Sequence, residues 1–351
     1  MKRQADLSFN EFIDESFEAL HIPVLNGRRK ASDILATLDR EMYTERRDDW
    51  LASQLDASLG SDTVPPSQLV KNRERFERLA RLVAKQRVVP FVGAGVSASA
   101  GCPAWSDYLK KLASEHGYSM RTLQGYIKRG CFDEAATGLL AHMGEAAFRE
   151  SFDRSFDRRD PSSSSVLVNL VATTFTGPII TTNYDRLLEQ FASPKFGQTF
   201  LGRLPGEFQR ACREGERVLF KIHGNLYQPE SRVLTKQEYD AAYGANGSVD
   251  LSKELCRSLR TAFLRETVLF VGSSLASDRT MDLLYQIAQD PADGSAMRHF
   301  AIVELPNKAT DRGSREKFLN ERHIFPIWYQ AGEHRFVSDI LQHLGRVSRD
   351  L

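Results

Sequence analysis

Val88-Val-Pro-Phe-Val-Gly93-Ala-Gly95-Val-Ser97 decides how this chain folds: an apolar run of β-type residues empties directly into two glycines and a serine, and a helical pattern follows. A strand that ends in glycine lets backbone N–H groups approach a pyrophosphate closely, and the next helix brings its positive dipole end to the same place. The motif also occurs in plain tight turns, so its meaning depends on what else converges on it.

From residue 88 onward short β-rich runs alternate with helical patterns. The runs are 88–92, 178–182, 218–222, 267–271, 299–304 and 324–329. Nearly continuous apolar strands separated by helices predict an α/β fold, a Rossmann-like doubly wound parallel sheet of about six strands. The gap between the first two runs is filled by a largely helical insertion at about 105–175. Within it His142 reads as structural, and Pro161-Ser-Ser-Ser-Ser165 as a helix-flanking loop able to gate a pocket.

Ligands on such sheets sit beyond the carboxyl ends of the strands, so the residues that follow each strand carry the information. The first strand delivers Gly93-Ala94-Gly95-Val-Ser97 and the second Thr181-Thr182-Asn183-Tyr-Asp185. The third ends in Lys221-Ile-His223-Gly224-Asn225 and the fourth in Val271-Gly272-Ser273-Ser274-Leu275. Glycines, an amide, a carboxylate, an imidazole and hydroxyls thus reach one rim. Each has a structural alternative: Asn183 as a helix cap, Asp185 in a first helical turn, His223 as a satisfied strand-end histidine. Four such accidents at four strand ends are harder to accept than one shared site.

The chain is long enough, at 351 residues, for one large α/β domain and a smaller accessory region. Lys plus Arg number 47 against 46 Asp plus Glu, which gives no general electrostatic capture of nucleic acid. No apolar run approaches the roughly 18–20 residues that span a bilayer, and the polar start has no secretory core behind it, so a cytoplasmic protein without membrane association is expected. Cys102, Cys131, Cys212 and Cys256 are too scattered for a disulfide framework or a metal pair; four reduced thiols and no structural zinc are expected. Residues 1–66 read as an N-terminal helical region: Ser8 with Glu11 as a capping box, Phe9, Phe12, Ile13, Phe17 and Leu20 at helical spacing, then helices around Ile34–Leu38 and Trp50–Leu55. The turn-rich segment 59–66 serves as a linker to a domain spanning 67–351. There Ser67 can cap a helix with a stripe of Phe76, Leu79 and Val83 and a basic face, read as solvated.

Gly93-Ala-Gly95-x-Ser97, Gly101-x-Pro103, Thr182-Asn183-x-Asp185, His223-Gly224 and Gly272-x-Ser274, in that order, resemble the SIR2-like domains related to sirtuins. The likeness covers about residues 85–345. Val233-Leu-Thr235 with Tyr239, and Ile327-Trp-Tyr329 before a last helix, resemble the bacterial branch that includes antiphage-defence proteins destroying NAD. Two departures matter. Sirtuin deacylases carry a zinc ribbon of paired Cys-x-x-Cys after His-Gly, whereas residues 225–266 contain only Cys256; and where sirtuins have Asp-Phe-Arg, this chain has Ala104-Trp105-Ser106. Both point away from a protein acceptor.

The resemblance implies NAD as substrate, no metal, and cleavage of the bond between nicotinamide and its ribose. It implies that Asn183 positions water and a ribose hydroxyl, that His223 acts as general base, and that Asp185 binds the carboxamide. Gly93, Ala94, Gly95 and Ser97 are expected to hold the pyrophosphate, Ser273 and Ser274 a phosphate or the adenosine ribose. Pro103, Trp105, Thr182, Gly224 and Gly272 complete the expected binding set. Asn183 and His223 are expected to support no core, and Gly95 to leave space for phosphate. Assembly into a homo-oligomer and a partner ATPase or nucleic-acid sensor are further implications. A deacylase or ADP-ribosyltransferase and a non-catalytic NAD or ADP-ribose sensor are the other readings. A dehydrogenase fits less well, since Ala98 replaces the third glycine of its fingerprint, and no ATP-binding P-loop is present.

Overall fold

The computed structural model describes residues 4–17, 20–22, 27–60, 64–157, 166–192, 194–202, 205–276, 278–290 and 297–350. Its centre is a seven-stranded, fully parallel sheet of β3 (Val88–Val92), β4 (Ile179–Thr181), β5 (Gln198–Leu201), β6 (Val218–Lys221), β7 (Thr267–Val271), β8 (His299–Glu304) and β9 (Ile324–Tyr329). The spatial order is β5-β6-β4-β3-β7-β8-β9. The chain starts in the middle at β3, fills one side through β4 to β6, then crosses to the other side for β7. The order therefore reverses around β3, the crevice where open α/β sheets bind their ligands.

Side chains alternate between the two faces because a strand has a period of two. Val89, Phe91, Phe220, Val268 and Phe270 enter one core; Val88, Val92, Leu219, Leu269 and Val271 enter the other. The first core is covered by α12 (Pro205–Glu214), α13 (Lys236–Tyr243), α14 (Glu254–Arg265), α15 (Arg279–Gln289) and α16 (Ala309–Asn320). The second is covered by α4 (Pro66–Ala84), α10 (Val166–Thr174), α11 (Leu187–Phe191) and α17 (Arg335–Asp350). Burial on both faces explains why these strands read as unbroken apolar runs.

Six strands fall where the sequence predicts them, to within a residue at each end. The seventh, β5, lies at the sheet edge, and only Phe200 of its four residues is buried. Unlike β9 at the other edge, whose residues are mostly buried, β5 lacks the double burial that makes the others visible. The insertion is helical as expected, with α6 (Trp105–Glu115), α7 (Met120–Lys128), α8 (Phe132–Met143) and α9 (Glu145–Phe156) around a core of their own, followed by α10. His142 is structural, its Nε2 lying 2.9 Å from the His116 carbonyl. The serine-rich stretch at 161–165 lies outside the described residues.

The N-terminal region holds α1 (Gln4–Ser16), α2 (Ala31–Leu38) and α3 (Arg40–Ser58), and also an antiparallel pair, β1 (Leu20–Ile22) and β2 (Gly27–Arg29), that helical spacing did not predict. Ser8 lies within α1, which already begins at Gln4, rather than at its N-terminus. Phe9 and Ile13 are buried, with Phe9 against Tyr43 and Trp50, while Phe12 and Phe17 are exposed. The described ends of the turn-rich 59–66 segment are anchored: Leu59 and Val64 are buried, and buried Asn72 donates to the Leu59 and Trp328 carbonyls while accepting from Trp328 N. Pro65 and Pro66, rather than Ser67, open α4, because a proline at the first helical position has its φ already set and no N–H to leave unpaired. Part of the basic face of α4 is tied down, with Arg75 on Glu316 at 2.8 Å and Arg73 on Asp56 at 2.6 Å. Among the described residues no helix is long and apolar enough to cross a membrane.

Candidate functional site

The carboxyl ends of β3, β4, β6 and β7 open into one cavity of about 830 Å³, roofed by the helical insertion. Every residue nominated from the sequence borders it except Gly224. That glycine turns the chain instead: its φ is +87°, and a Cβ there would lie 2.2 Å from the Ser231 carbonyl.

The glycine turn owes its composition to a second turn. Gly93 N donates to Val271 O at 2.9 Å and Gly95 N to Gly272 O at 2.8 Å. A Cβ on Gly93 would sit 2.6 Å, and one on Gly95 2.9 Å, from the Gly272 oxygen, while Gly272 itself adopts φ +65° against Val96 N. The two backbones touch, so side chains are excluded by protein before any ligand arrives. The expectation that Gly95 reserves space for phosphate is therefore replaced by a packing reason. Two of the turn's amides are already satisfied, and the Ala94 amide has no protein partner among the described residues. The following helix, α5 (Ala94–Ala98), is a five-residue turn, which limits its dipole.

The loop after β4 is locked to that turn. Thr181 Oγ1 donates to Val92 O at 2.9 Å and accepts from Asn183 N at 3.0 Å. Asn183 Nδ2 donates to Gly93 O at 3.1 Å and to Ser97 Oγ at 2.9 Å. Since Gly93 O can only accept, the amide orientation is settled, and Oδ1 faces away from both. That oxygen is buried and has no protein partner among the described residues. A buried acceptor without a partner is costly, and a ligand hydroxyl or an ordered water satisfies it. The expectation that Asn183 supports no core is corrected: its amide joins two strand ends. Asp185 is buried and accepts from Leu187 N at 3.0 Å, which sets the start of α11.

Sequence reasoning passed over Lys221, at the end of β6. Its side chain is 1% exposed, its Nζ binds the Asp185 carbonyl and lies 3.4 Å from the Tyr184 carbonyl, and it pairs with Glu189 at 3.1 Å. The lysine thus fastens the strand that carries His223 to the loop that carries Asn183 and Asp185. The available signal was a lysine closing the apolar run Val-Leu-Phe, where a charge is tolerated only with partners.

His223 is buried, and burial depresses its pKa to about 3, so the ring is neutral at any physiological pH. Its Nε2 lies 2.9 Å from Tyr243 Oη, which lies 3.2 Å from Thr280 Oγ1. This leaves Nδ1 as the ring nitrogen available to a ligand. Tyr239 meets the imidazole edge-on at 5.2 Å between centroids.

Trp105 opens α6 and sits against Tyr184 and Tyr108, so it joins the cavity wall to the insertion core. Across the cavity, Ser273 Oγ accepts from Leu275 N at 3.4 Å. Arg315 holds the Ser274 and Leu275 carbonyls at 2.7 and 2.9 Å, and Leu275 is kept at φ +48°, a strained value for a branched residue. Asp278 and Arg279, which also border the cavity, were missed. Asp278 caps α15 by accepting from Met281 N at 2.9 Å, and burial raises its pKa to about 6. Arg279 is buried between Asp240 at 2.6 Å, Asp133 at 3.4 Å and the Gly244 carbonyl at 2.5 Å. An aspartate just ahead of a helical pattern is a cap signal, but its place in the cavity is a tertiary fact. Among the described residues no group of three or more His, Cys, Asp or Glu is placed to hold a metal ion.

Residues 178–327 match the family model of the SIR2-like domain. The NAD(+) hydrolase ThsA of Bacillus cereus (strain MSX-D12) is 22% identical over 230 residues, 65% of this chain and 45% of that protein. The NAD(+) hydrolase ThsA of Enterococcus faecium is 25% identical over 258 residues, 72% of this chain and 50% of its own. Defense-associated sirtuin 2 of Bacillus subtilis is 25% identical over 229 residues, 63% of this chain and 21% of its own. The chain spans about half the length of the ThsA relatives it matches.

Proposed function

The chain carries a SIR2-like domain, and on that basis we propose that it is an NAD⁺ glycohydrolase, converting NAD⁺ to nicotinamide and ADP-ribose as a defence effector that depletes NAD. One observation carries the reading. Asn183 is locked to the glycine turn with its Oδ1 unpartnered, and neutral His223 borders the same cavity.

The bond to be cut joins the nicotinamide nitrogen to the anomeric carbon of its ribose. Positive charge on the ring makes a neutral leaving group, so little acid catalysis is needed, and the transition state resembles an oxocarbenium ion. Asn183 Oδ1 accepts a hydrogen bond from the attacking water or a ribose hydroxyl and so holds it in line. His223 accepts the proton at Nδ1. Asp185, which borders the same cavity, is suited to the carboxamide N–H and to developing positive charge. Ala94, Ser97 and the Gly272–Ser274 turn contact the pyrophosphate and the adenosine side, and Trp105 the ribose. Cys256, the one cysteine where a zinc ribbon would stand, is buried under α13, which leaves the deacylase reading without its platform.

A depleter of NAD needs restraint in its host. We assign that restraint to the N-terminal residues 1–66, to self-assembly or to a partner ATPase or nucleic-acid sensor, acting on the nucleotide-binding residues 67–351 in the cytoplasm. The test is to incubate the purified protein with NAD⁺, with and without candidate activators, and to separate the products by chromatography. Nicotinamide and ADP-ribose from the native chain, and neither from a folded His223→Ala, is the expected outcome. Turnover by that variant at the native rate would remove His223 from the mechanism; intact NAD⁺ under every condition would end the reading.

A further inference from the structure

Behind His223 stand two hydroxyls that the proposed chemistry has not used. Tyr243, at the last turn of α13, and Thr280, in the first turn of α15, are both buried, and with the exit of β6 they bring three segments of chain to one line of atoms. His223 Nε2, Tyr243 Oη and Thr280 Oγ1 follow one another at 2.9 and 3.2 Å.

We propose that Tyr243 and Thr280 are positioning residues: together they hold His223 as its Nε2–H tautomer and so present the lone pair of Nδ1 to the substrate's hydroxyl or water. The inference rests on reading His223 as the base. A neutral imidazole has one N–H and one lone pair, and only the nitrogen with the lone pair can take a proton. A phenol hydroxyl can accept from Nε2–H or donate to Nε2, and these choices give opposite tautomers. In the arrangement proposed, Thr280 Oγ1 accepts the phenol's proton and so leaves the phenol's lone pairs open to Nε2–H. When Nδ1 takes a proton, the O–H bond of the hydroxyl or water breaks and its electron pair stays on oxygen. The Nε2–H bond remains intact, still held by Tyr243 Oη. Packing alone does not call for the hydroxyl. The Tyr243 ring is stacked on Tyr239 at 14° and 5.8 Å, and a phenylalanine would fill the same space without a polar atom to satisfy.

Long-range ¹H–¹⁵N spectra of the whole chain labelled at histidine, assigned by loss of one signal in His223→Gln, read the tautomer directly. Steady-state nicotinamide release supplies kcat and KM. The native chain is expected to show Nε2–H. Thr280→Val is expected to move His223 toward Nδ1–H and to lower kcat by roughly 10- to 100-fold, part of the ~10²–10⁴-fold that a positioned base contributes, with KM held within about twofold. Thr280→Ser is expected to restore both readings, and Tyr243→Phe to lower kcat at an unchanged melting temperature. An Nδ1–H signal in the native chain, an unmoved tautomer in Thr280→Val, or native kcat in a folded Tyr243→Phe would each overturn the proposal. If the native chain released no nicotinamide, the NAD reading would fall, while the tautomer shift in Thr280→Val would still decide for or against the hydroxyl pair.

Discussion

Asn183 serves the fold and the site with different atoms of one amide. Its nitrogen bonds to Gly93 O and Ser97 Oγ, while Oδ1 has no partner among the described residues. Asn183→Ala is therefore expected to abolish nicotinamide release and also to lower stability by about 1–2 kcal/mol, read by urea unfolding, because buried acceptors lose their donor. A variant as stable as the native protein would mean that those bonds contribute nothing. At Gly95 the mutation acts through the backbone of the Gly272 turn. Gly95→Val is expected to lower the melting temperature of the ligand-free protein before any effect on NAD binding is seen, since its Cβ meets Gly272 at 2.9–3.2 Å. Unchanged melting with weakened binding would restore the phosphate-space explanation. Asn183, Asp185, His223 and the glycines were legible in the sequence because each follows an apolar strand directly. Lys221 and Arg279 were not, because their partners Glu189, Asp133 and Asp240 lie on other elements.

The elements that matter most are strand ends, and β6 is the clearest case. Three of its four residues fill the two cores, and the fourth, Lys221, reaches sideways to the loop after β4. Lys221→Met keeps the length and removes the charge, leaving Glu189 without its cation in a mostly buried position. It is expected to destabilise the protein by ~3 kcal/mol and to disturb Asp185 and Asn183. Lys221→Met with Glu189→Leu is expected to recover part of the stability and little of the activity, which separates the charge from the clamp. Full recovery of both in the double variant would reduce the pair to a packing detail. Strands buried on both faces were predicted almost to the residue, whereas edge strand β5, the β1–β2 pair and the true start of α1 were not. Short or half-exposed segments leave too little periodicity to read.

Across the whole molecule, acid sensitivity follows from buried imidazoles. His223 and His299 are depressed to about 3 and His343 to about 4, in each case chiefly by burial. The unfolded chain, with histidines near the ordinary ~6.5, therefore binds protons that the native state refuses. Their contribution is complete above that value and is lost as pH falls from it toward about 4 for His343 and about 3 for His223 and His299. Asp278, raised to about 6, works in the opposite sense, since the native state takes up its proton first. Glu266, Asp282 and Asp339, also raised by burial, act in the same sense as Asp278. Because the unfolded imidazoles titrate inside that window, the melting temperature is expected to fall between pH 7.5 and 5.5 in scanning calorimetry; a flat or rising profile would mean that the raised carboxyls outweigh the imidazoles. The local order of residues was enough to specify the parallel sheet, the helical insertion and the rim on which an amide, an imidazole and glycines gather, because apolar periodicity and the residue after each strand are short-range properties. Which of those groups stay unpartnered, which are consumed by neighbouring backbone, and which hydroxyls stand behind His223 depended on contacts between segments 20 to 90 residues apart. Those distances are set by how the sheet closes its cores, a long-range balance that no local pattern encodes.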